Sequence, residues 1–414
     1  MNQDRSLDRL AEILDELAGT GRTDYLPAIV ERAAAVRQRP VWRFPGRWLP
    51  MPTRMPNRGV AVALLTILLI AALVVGALVG SRRQHPPPFG PAGNGRIAYA
   101  SNGEIYVVDR PDSTPRVLVT GPESDNIPIF SPSGDRIAFL RHPDPTGTFG
   151  DFYLMTAMAD GSGVRRLSGL MSGLNGIAWS PDDTSIAFGN EIGPARRAGI
   201  VLYPVTGAAP MSLDLGVPAE SLSWRPPDGT ELAFLGLVDG KWTLHVADRD
   251  GANVRDLGIE AQAAVWSPDG KRLVFDRVED SAAGSQRRSL HVADVDANGA
   301  LIADRALEFD PRNDIETGGN WSPDGQWLAF VRGRDDRFVV AIGRPDGTGY
   351  REVGVETGPP DSSQNSVWMW SPDGRWVIQT FDDGPTWIFD PEGGPPRRAA
   401  FDVAAFTNWQ RVAP

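Results

Sequence analysis

A chain of 414 residues, 41% apolar and 22% charged, is long enough for a sizeable core plus an accessory region and too apolar to be a disordered tract. The absence of cysteine excludes disulfides, thiolate metal sites and cysteine nucleophiles. The net charge of −11 is uneven: residues 1–58 carry 10 Arg against 7 acidic residues, 59–80 carry none, and 81–414 hold 31 basic against 45 acidic residues. So acidic a C-terminal part argues against general nucleic-acid binding, which needs clustered positive charge.

Residues 1–58 read as two short helices. "SLDRLAEILDELAGTG" is capped by Ser6, places Leu7, Leu10, Leu14 and Leu17 on one face, and ends at Gly19. "DYLPAIVERAAAVRQRP" carries a stripe of Leu26, Ile29, Val30, Ala33 and Val36 and stops at Pro40. Two helices of this size bury little alone, so their stripes need each other or a partner.

"GVAVALLTILLIAALVVGALVG" (59–80) is 22 residues without a charge, long enough to cross a bilayer core of about 30 Å. Arg39, Arg43, Arg47, Arg54 and Arg58 precede it, whereas Arg82, Arg83 and Arg96 follow it. The positive-inside rule then puts 1–58 in the cytoplasm and the C-terminal part outside, with Trp42 and Trp48 as interfacial anchors. Residues 81–94 are a Pro-rich linker, expected to hold the outer domain off the membrane.

From 95 to 414 one stretch keeps returning: "FSPSGDRIAF" at Phe130, "WSPDDTSIAF" at Trp179, "WRPPDGTELAF" at Trp224, "WSPDGKRLVF" at Trp266, "WSPDGQWLAF" at Trp321 and "WSPDGRWVIQ" at Trp370. The spacings are 49, 45, 42, 55 and 49 residues, the period of propeller blades. Second apolar segments ("FYLMTA", "WTLHVA", "SLHVAD", "FVVAIG"), Gly-containing turns and a short last strand give four strands per unit and seven units, six being the alternative if one unit is degenerate. The first copy, at "GRIAYA", lacks its Trp strand, and "FTNWQR" with Trp409 supplies it from the other end, closing the ring without a free edge. In the motif, Trp fills the wedge between blades, Pro presets the turn, Asp caps backbone N–H groups and Gly takes the left-handed corner. The recurring Asp182, Asp269, Asp324 and Asp373 are therefore turn caps rather than catalytic carboxylates.

These repeats resemble the WD-like propeller repeats of the TolB type, also found in the propellers of prolyl-oligopeptidase-like peptidases. The resemblance covers about residues 93–414 and implies a propeller that binds protein or peptide outside the cytoplasm. The chain departs from the peptidases in carrying no G-x-S-x-G elbow and no hydrolase domain after the propeller. The layout of a small helical region, one span and an outer domain also resembles membrane-bound anti-sigma factors. Residues 1–58 lack the Cys and His of that family's zinc-binding form.

No triad, HExxH or P-loop occurs, "DRDGANVRD" lacks full calcium-loop spacing, and no cofactor or metal is expected. Binding is expected on the long connections between strands 2 and 3 and between units, which share one face opposite the short SPDG turns. His142, Arg196, Arg197, Asp276, Arg287, Arg288, Arg332 and Arg334 fall there; the plain alternative is solvated loop charge. The expected protein is thus a single-pass, membrane-anchored binding propeller outside the cytoplasm. Its ligand is a protein, peptide or glycan, and residues 1–58 are a relay to a sigma factor-like regulator. A propeller hydrolase or lyase using loop carboxylates, and a structural envelope scaffold, are the alternatives.

Overall fold

The computed structural model describes residues 86–144, 151–173, 176–192, 197–280, 286–296, 299–307, 309, 315–334, 337–355, 366–381, 384–403 and 405–413. The two helices expected in 1–58 and the span expected at 59–80 lie outside these residues. Among the described residues no helix is long and apolar enough to cross a membrane, and every regular element is a strand.

The chain starts with β1 (Gly93–Ser101), β2 (Glu104–Val108) and β3 (Arg116–Val119). Then come β4 (Ser124–Phe130), β5 (Arg136–His142), β6 (Tyr153–Met158) and β7 (Arg165–Arg166), a four-stranded meander. β8 (Ile177–Trp179), β9 (Ser185–Ile192), β10 (Arg197–Pro204) and β11 (Met211–Asp214) form the next. β12 (Ala219–Trp224), β13 (Glu231–Val238), β14 (Lys241–Asp248) and β15 (Arg255–Trp266) run into β16 (Arg272–Asp280), β17 (Gln286–Val295) and β18 (Leu301–Ala306). β19 (Ile315–Trp321), β20 (Leu328–Arg334), β21 (Arg337–Gly343) and β22 (Arg351–Glu352) precede β23 (Ser366–Trp370), β24 (Val377–Phe381), β25 (Gly384–Phe389), β26 (Arg397–Val403) and β27 (Ala405–Val412).

Hydrogen bonding joins these strands into five sheets, four of four strands and one of eleven, rather than one sheet per repeat. The physical reason lies in β15. Its first half pairs with β14, and its second half, Ala261–Trp266, pairs with β16, so one strand closes one meander and opens the next. A single parallel pair, Arg288↔Ile315, then ties β17 to β19. The first strands of successive meanders lie side by side: β27 touches β4, β8 touches β12, β12 touches β15, β15 touches β19 and β23 touches β27. That is the inner ring of an all-β propeller with four-stranded units.

The "IAF" segments form strands because β-branched and aromatic side chains suit a pleated surface, and here both faces are covered by neighbouring units. Phe139, Phe188, Phe234, Phe275 and Phe330, one slot of five copies, are all fully buried. The anchors Phe130, Trp179, Trp224, Trp266, Trp321 and Trp370 each end a first strand, Trp409 lies within β27, and all seven are buried. Several indoles also bond across the seam. Trp179, Trp321 and Trp370 donate Nε1 to the carbonyls of Ile129 (3.0 Å), Val265 (3.1 Å) and Asn320 (3.2 Å), each on the preceding unit's first strand. Guanidiniums lie over Trp224, Trp266 and Trp321, from Arg249 at 5.6 Å, Arg225 at 4.6 Å and Arg272 at 4.7 Å.

Ring closure follows the expected route. β27 pairs antiparallel with β1, setting Trp409 opposite Ile97 and Thr407 opposite Tyr99. Asn408 Oδ1 accepts from the Phe130 amide at 2.9 Å, carrying the closing strand into the next unit.

The SPDG turns behave as caps, with one addition. Asp269 Oδ1 accepts from the Lys271 amide (3.1 Å), while Ser267 Oγ donates to that carboxylate (2.6 Å) and accepts from the Arg272 amide (2.9 Å). Ser180, Ser322 and Ser371 repeat the pattern, and all four serines are buried. Gly270 sits at φ +67°, where an added Cβ would lie 2.1 Å from the Pro226 carbonyl oxygen. Gly270→Ala is therefore expected to cost at least about 2 kcal/mol, left-handed strain plus the clash, read as a lower urea midpoint. In the third copy Asp183 holds the same corner at φ +58°, and its carboxylate bonds Ser131 Oγ at 3.0 Å in the preceding unit.

Where it is described, from Pro86 on, the Pro-rich linker is docked on the propeller. Arg411 Nη2 donates to the carbonyls of Pro87 (3.0 Å) and Gly90 (2.6 Å), and the Ala92 amide donates to Pro372 O (2.9 Å). Phe89 packs on the apolar cluster around Trp224 and Leu202, and Pro86 is buried.

Candidate functional site

Each unit's first strand ends, and its second begins, at an SPDG-type turn, so these turns share one face with the turns between third and fourth strands. The opposite, long-loop face carries the ends of β5, β9, β13, β16 and β20. The residues expected to bind lie on that side, but mostly within strands rather than loops.

His142 ends β5 and is buried. Its Nε2 lies 3.0 Å from Asn126 Nδ2, and its ring meets Phe152 edge-on at 5.8 Å. Burial pushes its pKa down, against weaker raising by a backbone bond at Asp151 and by Asp125, so the ring is neutral at physiological pH. Beside it, Arg141 grips Asp125 through Nε and Nη2, both at 2.7 Å, with Glu123 at 3.4 Å from Nη1. Burial raises the Asp125 carboxyl while Arg141 pulls it down, and Arg141 is held above its usual value by that hydrogen bond. A bidentate pair of this geometry stays ionised.

Asp276 is not loop charge. It lies inside β16, 1% exposed, and accepts hydrogen bonds from Thr317 Oγ1 and the Gly318 amide (2.8 Å) of β19. Burial pushes its carboxyl up, offset in part by those donors and by the Arg288 charge. It is mortar between two units.

Arg288 sits in β17 opposite Val278, and Arg332 in β20 opposite Glu316, with its Nη2 on Glu352. Burial lowers the Arg332 pKa, but Glu352 and Tyr350 outweigh it and hold the guanidinium above its ordinary range. Arg197 opens β10 opposite Ile192, Arg287 lies in β17 opposite Glu279, and Arg334 ends β20 opposite Arg337. The side chains of these three, and all of Arg196, fall outside the described residues. Asp276, Arg288 and the Arg332–Glu316 pair thus border one seam, while His142 stands with Asp125 and Arg141 in another unit. They do not converge on one constellation.

Two features escaped sequence reasoning. Arg225 stands where other copies have Ser; it bonds Glu231, the Gly270 carbonyl (2.9 Å) and the Asp296 carbonyl (3.0 Å), and Glu231 also takes Arg255. The signal was visible, because "WRPPDG" is the one copy that breaks the Ser-Pro pattern. The second is a groove of about 1170 Å³ on the short-turn face, lined by Asp228, Asp248, Arg249, Lys271 and Asp296 among others. It arises between turns of three successive units, a juxtaposition no single repeat reveals.

The turn carboxylates set a pH response. Burial raises Asp182 and Asp269, but Ser180, Thr184 and Arg249 on the first, and Ser267, Lys271 and Arg272 on the second, hold both below the usual carboxylate range. Depressed folded values stabilise above the unfolded pKa, and that contribution is lost as pH falls through the folded one. The urea midpoint should therefore drop below about pH 4, and Ser267→Ala should move the Asp269 titration upward in a carboxylate NMR titration. An unmoved Asp269 would contradict the hydrogen-bond assignment.

No family model matches the chain. An uncharacterized protein of Agrobacterium fabrum is 25% identical over 180 residues, 42% of this chain and 56% of that protein, so the match spans just over half the relative's length. The periplasmic gluconolactonase of Pseudomonas aeruginosa superposes with a TM-score of 0.52 at 14% identity, over 77% of this chain and 99% of that one. A puromycin-hydrolyzing peptidase of Mycobacterium tuberculosis gives 0.52 at 16%, over 77% and 53%. TolB from Acinetobacter baumannii gives 0.47 at 18%, over 76% and 81%. At such identities the likeness speaks to architecture alone: the chain has the β-propeller fold.

Proposed function

We propose that the chain is a single-pass, membrane-anchored propeller that binds a protein, peptide or glycan outside the cytoplasm and catalyses nothing itself. Residues 1–58 would stand in the cytoplasm as a relay to a sigma factor-like regulator. The propeller is read as seven units: the eleven-stranded sheet divides into three four-stranded meanders with β15 counted twice, beside the four separate sheets.

The observation that carries this reading is the use of the buried charges. Asp276 joins β16 to β19, Arg225 and Glu231 join β13 to the turns after β15 and β17, and Asp125 with Arg141 locks β4 to β5. These buried groups, of the kind a hydrolase would need, are spent in holding strands and units together, which leaves a rigid scaffold presenting its loops.

The test is to pan the full chain against displayed peptides and arrayed glycans, then incubate it with what binds. Saturable binding with the ligand recovered intact is the expected result. Consumption of the bound ligand would favour a hydrolase or lyase. The relay is tested separately, with 1–58 as bait and Leu10→Asp and Ile29→Asp as controls. Specific recovery of a regulator, lost in both variants, is expected; recovery of nothing specific would leave an anchor only.

A further inference from the structure

The described part of the linker, residues 86–92, is docked on one face of the propeller. The chain enters the ring through β1, a second strand whose first-strand partner is β27, so it must enter from the short-turn side. Residues 86–92 then lie across that side. Pro86 and Pro88 border a cleft with Ser133, Asp135, Pro181 and Asp183, from the turns of two successive units. The Ala92 amide bonds Pro372 O in a third turn, and Asn94 Oδ1 accepts from the Asp373 amide (3.1 Å) beside it. Arg411, at the short-turn end of β27, holds the middle through two carbonyls. This is a seated strap with contacts in several units.

We propose that the short-turn face is the membrane-proximal face, and that the long-loop face, turned away from the bilayer, is the surface open to a soluble partner; this rests on the reading of 59–80 as a membrane span. Six peptide steps separate Gly80 from Pro86, which reach about 20 Å when fully extended. A seven-residue strand such as β5 is alone about 23 Å deep at about 3.3 Å per residue. A connection that short cannot start on the short-turn side, round the rim and meet a bilayer lying against the long-loop face. The groove on the short-turn face, with its acidic rim, then opens toward lipid headgroups and is poorly placed for a macromolecule.

The absence of cysteine makes the test clean. Single cysteines are introduced into the full chain at Ala208→Cys and Glu392→Cys on short turns, and at Leu170→Cys and Lys241→Cys on the long-loop side. All four native residues are exposed. Each variant is donor-labelled and reconstituted into phosphatidylcholine vesicles carrying a trace of headgroup-labelled acceptor lipid, and flotation is measured alongside energy transfer. Transfer from both short-turn labels should exceed that from both long-loop labels by about twofold, the faces being more than about 20 Å apart. Flotation with equal or reversed transfer overturns the proposed orientation and leaves the span standing. Failure to float overturns the span, and the orientation with it.

Discussion

Removing residues 405–414 should leave a chain that no longer unfolds in one cooperative transition. β27 is the inner strand of the first unit although it comes from the far end of the chain, and its loss bares the edge of β1 from Gly93 to Ala100. It also removes Trp409, buried and donating Nε1 to Gly95 O at 3.1 Å, and Asn408, which caps the Phe130 amide. Gln410 goes too, with its bonds to the Arg96 amide (3.1 Å) and the Gly134 carbonyl (2.6 Å), as does the Arg411 clamp on the strap. A buried Trp alone is worth about 3–5 kcal/mol on truncation, against a total stability of about 5–15 kcal/mol. The exposed edge adds an aggregation route. Scanning calorimetry of the truncated chain should show a broad, low-enthalpy transition or none. A sharp transition at the full-length temperature would mean that β27 does not close the ring.

Asp276→Ala should cost about 3 kcal/mol, the usual penalty for stripping a buried, hydrogen-bonded charge from its donors. The Gly318 amide sits at φ +72° in a bulge of β19, and without the carboxylate neither it nor Thr317 Oγ1 keeps this acceptor. Asp276→Asn, which retains one acceptor, should recover part of the loss. Urea unfolding of the three proteins should rank wild type above Asn above Ala. A change under about 0.5 kcal/mol for Ala would class Asp276 with ordinary surface charge, as its sequence neighbourhood first suggested.

The scaffold was readable because the repeat writes each structural demand several times over. Trp at the seam, Asp at the cap and Gly at the left-handed corner recur, so chance is averaged out and ring closure by Trp409 follows from the one missing strand. The buried serines were equally repeated, yet a hydroxyl in a polar turn does not advertise that it sits inside and bonds both ways. What recurs only once was harder. Asp276 follows Phe275 in a strand that alternates poorly, so nothing local distinguishes a buried carboxylate from a solvated one; its partners lie 41 and 42 residues away. The seating of the strap and the short-turn groove depend on turns from different units meeting in space, which repeat spacing does not encode. Hydrogen bonding across β15 and β17 similarly merges three meanders into one sheet, a consequence of a single long strand and a single parallel pair.

The most direct measurement of the central claim is hydrogen exchange on the full chain with and without a peptide or glycan selected by panning. Protection is expected on the long-loop side, at residues 120–124, 167–173 and 238–241, with the short turns unchanged. Protection confined to 226–230, 248–251 and 269–271 would place the ligand in the short-turn groove and contradict the account.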